Sequence, residues 1–139
     1  MRNKGILIVS MLFFVWGCTG CNHKNRVAEL LEIPEPKDWI LVIHPEGCKT
    51  CLDSFYSELL ELPTTTGGTI VILAKNSKTL RLNPLIENAP IPLYLDETKR
   101  LIQERIVDLQ DQILVFRENE VVRFDILDYQ KVFKELVPK

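Results

Sequence analysis

Residues 39–55, WILVIHPEGCKTCLDSF, join an apolar run to two closely spaced cysteines and the start of an amphipathic segment. WILVIH is continuous and of strand length, which predicts a strand covered on both faces. The segment after it has apolar residues at helical spacing up to Pro63, which predicts a helix. Cys48 and Cys51 therefore stand at the junction of a buried strand and a helix. Such a pair is a redox couple, half of a metal site or a structural staple.

The two residues between Cys48 and Cys51 argue against the staple. In the chain-entropy account, a disulfide stabilises a fold by closing a loop, and the effect grows with loop length. A bridge across so short a loop contributes little stability. The redox couple and the metal site remain as the chemical alternatives.

Composition narrows the class of protein. The chain has 139 residues, enough for one domain with a single core. It is 46% hydrophobic and 26% charged, with a net charge of −2, and its charges are mixed and dispersed. No basic stripe interleaved with aromatic residues is present, so we expect no nucleic-acid binding. We also expect a monomer that carries no cofactor.

Residues 1–21 have the layout of a secretory leader. Arg2 and Lys4 precede the apolar run ILIVSMLFFVW, and GCTGC follows it. That run has 11 residues, whereas a membrane-spanning helix needs roughly 20. A signal peptide is therefore favoured over a permanent transmembrane helix.

The end of this leader, VWGC, resembles a bacterial lipobox, in which cleavage before the cysteine exposes it for lipid attachment. The resemblance implies Cys18 as the lipidated residue, with Cys21 as the alternative. A soluble secretory leader with a coincidental cysteine is the competing interpretation. Acyl chains would hold the domain on a membrane, facing the periplasm or exterior of a bacterial cell envelope. That compartment also permits disulfides.

The rest of the chain divides into a polar segment, residues 22–37, and a domain, residues 38–139; the polar segment is expected to be a tether followed by a short helix or an extended lead-in. Strands are predicted at residues 39–44, 69–75 and 91–96, a helix at residues 97–107, and a hairpin formed by QILVF and VVRFDI. DYQKVFKELV predicts a closing helix with Asp128 as its N-cap. The alternation of strands and helices predicts an α/β domain with a mostly parallel sheet, closed by an antiparallel hairpin.

Two stretches, WILVIHPEGCKTCLDSF and QILVFRENEVVRF, make the chain similar to thioredoxin-like proteins. The predicted strand IPLYLD and helix ETKRLIQERIV match the insertion of membrane-tethered thiol-disulfide proteins of the TlpA/ResA type. The resemblance covers residues 38–137. It implies a three-layer sandwich whose mixed sheet has a central βα insertion and a C-terminal hairpin plus helix. It also implies a thiol-disulfide oxidoreductase whose partners are envelope proteins with thiols or disulfides.

Within this resemblance the two cysteines have different roles. Cys48 is expected at the helix N-terminus, where the helix dipole lowers a thiol pKa, and it is the expected nucleophile. Cys51, one turn further and facing inward, is the expected resolving thiol. Lys49 adds a nearby positive charge, whereas Glu46 disfavours the thiolate.

Three residues depart from the family pattern. Gly47 replaces an aromatic residue before the first cysteine, and Val42 stands where a buried acid is often found. Asp111 occupies the position of the cis-proline that normally faces the couple. Its carboxylate is expected to raise the thiol pKa, to offer a third metal ligand, or to point to water.

Two other functions stay open. In a metal-binding module, Cys48 and Cys51 would be joined by Asp111 or His44, a ligand set suited to zinc. His44 ends an apolar strand and is more typical of a structural histidine. In a non-catalytic adaptor, the domain would bind an envelope partner without redox chemistry. A peroxidase is a minor option, because no Thr precedes Cys48 at the required distance.

Overall fold

A computed structural model describes residues 22–34, 38–74 and 84–137. The predicted leader, with Cys18 and Cys21, lies outside the described residues. In the described residues, the α-helices are α1 (His23–Leu30), α2 (Lys49–Leu60), α3 (Pro84–Asn88), α4 (Arg100–Gln103) and α5 (Tyr129–Leu136). The strands are β1 (Trp39–Ile43), β2 (Gly68–Ile72), β3 (Leu93–Leu95), β4 (Ile113–Phe116) and β5 (Val121–Phe124). None of these helices is long and apolar enough to cross a membrane.

The five strands form one mixed sheet in the order β3-β2-β1-β4-β5. The strands β1, β2 and β3 pair in parallel, while β4 is antiparallel to both β1 and β5. The predicted α/β class, the mixed sheet and the hairpin after a parallel part are confirmed. Because β1 is the central strand, its C-terminal end lies between the ends of its two neighbours, β2 and β4.

Both faces of β1 are covered, as its continuous apolar sequence predicts. Trp39, Leu41 and Ile43 point into one core, which α2, α3 and α5 cover. Ile40 and Val42 point into a second core, which α1 and α4 cover. The side chains alternate because successive residues of a strand face opposite sides of the sheet. The result is a sheet between two helical layers.

The N-terminal helix α1 lies within the polar segment, residues 22–37. Its residues Val27 and Ala28 are buried in the second core. Asn22 caps the helix, because its side-chain oxygen accepts a hydrogen bond from the Asn25 N–H at 3.2 Å. Residues 23–30 are therefore a packed part of the fold.

Helix α4 is much shorter than the helix predicted over residues 97–107. It ends where Arg105 adopts a left-handed conformation, with φ of 56°. The Arg105 N–H then donates to Ile102 O at 3.0 Å, and the Ile106 N–H donates to Leu101 O at 2.9 Å. These two bonds form a Schellman motif, which ends the helix although the apolar spacing continues.

The closing helix α5 has Asp128 at its N-cap, as predicted, but the Asp128 side chain makes no capping bond. Asp125 makes the local capping bond instead, because its carboxylate accepts the Leu127 N–H at 2.9 Å. The chain thus enters α5 through a short 3₁₀ turn, Ile126–Asp128. Asp128 instead pairs with Lys131 at 2.9 Å.

A close approach of β1 and β2 occurs where Trp39 is the register partner of Gly68. A Cβ built on Gly68 would overlap the indole ring of Trp39. Glycine is required here because the ring occupies the space of a side chain. The indole is thereby buried, with 2% of its surface exposed.

Helix α2 buries a tyrosine hydroxyl in the first core. Tyr56 is 5% exposed, and its hydroxyl has no hydrogen-bond partner among the residues that the structure describes. Burial, and to a smaller extent the charge of Asp53, raise the pKa of Tyr56 to about 12. The phenolate is disfavoured because it would lose its hydration in the core.

We predict an alkaline loss of stability that depends on Tyr56. The folded-state pKa lies above the unfolded value, so this contribution is complete below pH 10 and is lost as the pH rises toward 12. By pH 11.5 the free energy of unfolding should fall by about 2 kcal/mol through this group. Urea denaturation between pH 8 and pH 11.5 measures the loss, and Tyr56→Phe should lack it. Tyr94→Phe, which changes a tyrosine on the edge strand β3, is the control and should keep the loss of stability. If Tyr56→Phe loses as much stability as the wild type, the assignment to Tyr56 is wrong.

Candidate functional site

Cys48 and Cys51 are joined by a disulfide at the start of α2, with their Cα atoms 5.3 Å apart. Cys48 is the N-cap residue of this helix. Its Sγ accepts a hydrogen bond from the Cys51 N–H at 3.3 Å. A helix N-terminus carries unpaired N–H groups and partial positive charge, both of which stabilise negative charge on sulfur. The site therefore favours the thiolate of Cys48 after reduction.

Both cysteines are half-buried, and both pack against the first core. The sequence predicts an accessible Cys48 and an inward-facing Cys51, but their exposure falls in the same range. The two sulfur atoms are distinguished by the N-cap position of Cys48. The roles of nucleophile and resolving thiol stay predictions.

The turn before the cysteines depends on Gly47. This residue has φ of 99°, which side-chain-bearing residues rarely adopt. A Cβ at this position would lie 3.0 Å from Nε2 of Gln112 and 3.6 Å from a methyl group of Ile126. The backbone conformation disfavours the aromatic residue that the family resemblance leads one to expect there, and the Gln112 side chain would have to shift to admit any Cβ.

Gln112 holds this turn in place, a role that no local sequence pattern indicates. Its backbone oxygen accepts the His44 N–H at 2.8 Å, just beyond the end of β1. Its side-chain oxygen accepts the Ile126 N–H at 2.7 Å. Gln112 thus connects the turn before the cysteines to the segment that leads into α5, and it acts as a positioning residue.

His44, Glu46 and Lys99 form a polar cluster beside the turn. The His44 ring is 2% exposed, and its Nδ1 lies 3.2 Å from the backbone oxygen of Asp111, to which Nδ1–H donates. Its Nε2 lies 3.1 Å from Oε1 of Glu46 and 3.4 Å from Nζ of Lys99. The hydrogen bonds agree with a structural histidine. The negative charge of Glu46 is balanced in part by Lys99, 3.9 Å away.

Asp111 directs its carboxylate to β5 and to its own loop. Oδ1 lies 3.3 Å from Nε of Arg123, and Oδ2 accepts the Asp108 N–H at 2.9 Å. The side chain is 8% exposed, so it does not point to open water. No peptide bond of the described residues is cis. Asp111, at the position that the family resemblance assigns to a cis-proline, therefore has a trans peptide bond. Its influence on the Cys48 thiol stays a prediction.

The candidate site residues form no metal-ligand cluster in the part of the chain that the structure describes. Among residues 22–34, 38–74 and 84–137, no three His, Cys, Asp or Glu side chains are grouped so that they could hold a metal ion. Val42 packs in the second core, whereas the cysteines pack against the first. His23 begins α1 and is exposed.

Comparison with known proteins does not assign the chain to a family. No protein-family model matches it, and no curated protein or solved structure shows significant similarity to it.

We predict that Gly47→Ala destabilises the oxidised domain by roughly 1 to 3 kcal/mol, the usual cost of a strained backbone conformation. The added methyl group must also displace the Gln112 side chain. Denaturant unfolding of the oxidised protein measures the change. Thr50→Ala is the control, because Thr50 is exposed in the first turn of α2 and should change stability by less than about 0.5 kcal/mol. Wild-type stability in Gly47→Ala would show that the turn does not require a positive φ.

Proposed function

We propose that this protein is a thiol-disulfide oxidoreductase that exchanges disulfides with proteins of the bacterial cell envelope. The observation that supports it best is the Cys48–Cys51 disulfide at the N-terminus of α2, with the Cys51 N–H directed at Cys48 Sγ. The pair can open and close without moving the sheet, because both cysteines belong to one helical turn. A rigid scaffold that presents a chemically strained or reactive loop is the usual arrangement for a catalytic site.

The exchange proceeds in two steps, and in each step one bond to sulfur forms while another breaks. The Cys48 thiolate attacks one sulfur of a partner disulfide, which forms a mixed disulfide and releases the other partner sulfur as a thiolate. The Cys51 thiolate then attacks Cys48 Sγ, which forms the internal disulfide and releases the second partner thiol. The partner gains two electrons, and the Cys48–Cys51 pair loses them. The reverse sequence transfers a disulfide to a partner dithiol, and the relative reduction potentials set the direction.

A thioredoxin-like fold belongs to this proposal. The order of β1, the cysteine pair, α2 and β2 supports it, as do the antiparallel hairpin β4–β5 and the closing helix α5. β3 and the short α4 stand where the resemblance places a βα insertion. β3 extends the parallel side of the sheet beyond β2.

Lipid anchoring is the second part of the proposal. Cleavage before Cys18 would leave a cysteine five residues ahead of His23, the first residue of α1. Because α1 packs on the sheet, acyl chains on Cys18 would keep the whole domain near a membrane surface. The oxidising conditions outside the cytoplasm fit a protein whose cysteine pair forms a disulfide.

We predict that Cys51→Ser traps mixed disulfides with partner proteins through Cys48, because the resolving thiol is missing. Non-reducing gel electrophoresis after acid quenching of cells should show adducts that reductant removes. Cys48→Ser is the matched control and should show far fewer adducts.

Two outcomes would contradict this assignment. More adducts in Cys48→Ser than in Cys51→Ser would reverse the two roles. If neither variant captures a partner, and the wild type stays reduced in mild oxidant, the oxidoreductase proposal fails and a non-catalytic adaptor is favoured.

We predict that Cys18→Ala abolishes labelling by a radioactive fatty acid and releases the protein from the membrane fraction. The reason is that the acyl chains have no other attachment point if cleavage occurs before residue 18. Cys21→Ala is the control and should keep its label. Label that persists in Cys18→Ala and disappears only in the double variant would move the attachment to Cys21.

A further inference from the structure

A basic cavity lies on the sheet face opposite to the cysteines, between α1, the end of α4 and the β4–β5 hairpin. It encloses about 310 Å³. Three arginines from three separate parts of the chain line it, Arg26, Arg105 and Arg123, together with His23 and Asn119. None of the described residues that line it carries a carboxylate, although the protein as a whole has a net charge of −2. The thiol chemistry uses none of these residues.

The carboxylates near this cavity leave much of its positive charge uncompensated. Glu104 lies 3.9 Å from Arg26, with both side chains 53% exposed, so the pair is weak. Asp111 contacts Nε of Arg123, and a guanidinium has further N–H donors beyond that atom. The Arg105 side chain forms no hydrogen bond or ion pair within the described residues. As far as the described part of the chain shows, Arg105 thus adds an unpaired cation to the lining of a cavity that is already basic.

The backbone of Arg105 allows a clean test of its side chain. Arg105 is the left-handed residue of the Schellman motif at the end of α4, a position at which glycine is usual because other residues are strained. Glu32 ends α1 in the same conformation and does not line the cavity, so the conformation alone does not mark a functional residue. It means that Arg105→Gly can remove the guanidinium without a change of backbone.

We infer that this cavity binds a phosphate group. Guanidinium groups match the geometry of phosphate oxygens through paired N–H donors, and three arginines line this cavity. Ile106, Phe116 and Val121 add an apolar part to the lining, which suits the organic portion of a phosphate ester. The volume is that of a small-ligand site.

The source of the phosphate follows from the position of the cavity along the chain. His23 lies five residues after Cys18, and five extended residues span at most about 17 Å. An anchored chain would therefore hold the cavity close to lipid headgroups, whose phosphate would fix the orientation of the domain on the membrane. This choice of source rests on the proposed anchoring; the phosphate site itself does not.

The test uses the full chain in dodecyl maltoside micelles and two probes. Isothermal titration calorimetry with inorganic phosphate measures the free anion. Titration with micelles that contain phosphatidylglycerol, compared with phosphatidylcholine, measures an anionic lipid headgroup. Arg105→Gly removes the guanidinium and keeps the backbone conformation, so it should fold at least as well as the wild type. It should weaken binding at least about tenfold, the usual effect of losing a charged hydrogen bond.

Glu32→Gly is the matched control. Glu32 ends α1 in the same motif, with φ of 55°, the Glu32 N–H donating to Glu29 O and the Ile33 N–H donating to Ala28 O. It does not line the cavity, so this variant should bind like the wild type. If the wild type binds phosphatidylglycerol saturably and Arg105→Gly does not, the ligand is a lipid headgroup. If Arg105→Gly loses affinity for inorganic phosphate alone, the ligand is a soluble phosphate. Wild-type affinity in Arg105→Gly, or no binding of either probe by the wild type, would overturn the inference.

Discussion

The burial of β1 on both faces is the constraint on which the rest of the structure depends. Ile40, Leu41, Val42 and Ile43 have no exposed surface, and the strand pairs with β2 on one side and β4 on the other. A shift of one residue in either pairing would exchange the side chains of the two cores, so the register is strongly specified. Because β1 is fixed, the place where the chain leaves the sheet is fixed as well. The cysteine pair begins five residues beyond that point.

Residues of several loops contact the turn that carries the cysteines, at the C-terminal end of β1. Gln112 and Asp111 come from the segment before β4, Lys99 from the start of α4, and Ile126 from the entry to α5. The turn is therefore positioned by elements that are distant in sequence. Such support matters for disulfide exchange, since the attacking sulfur must meet the partner disulfide in a defined direction.

Much of the fold could be predicted because the relevant signals are local. The apolar run of β1, the spacing along α2 and the hairpin pattern each depend on neighbouring residues, and the structure confirms all three. The short α4 was not predicted, because Arg105 ends the helix in a conformation that the apolar spacing does not reveal. The sequence allows a short helix at α1 but not its packing on the sheet, because only two apolar residues of a polar segment, Val27 and Ala28, are buried.

The candidate site could be predicted less fully, for the same physical reason. The spacing of Cys48 and Cys51 is a local signal, and so is their position at the start of a helix. The contacts of His44 with Lys99 and with Asp111 span 55 and 67 residues, and no local pattern marks them. Gln112 and Arg105 are ordinary residue types, and only the structure shows the first beside Gly47 and the second at a basic cavity.

The packing of Trp39 on Gly68 has an optical consequence. The chain has two tryptophans, and the other, Trp16, lies in the predicted leader. Removal of the leader would leave one indole per molecule, sealed in the first core at the start of β1, while the disulfide follows the opposite end of that strand. Trp39 and Ile43 are four steps apart along the strand, or about 13 Å, and the cysteines follow beyond Ile43, so the bridge is out of contact with the ring. The intrinsic fluorescence of the processed protein would thus come from Trp39 alone. It would report the unfolding of the first core and not the redox state of the cysteines.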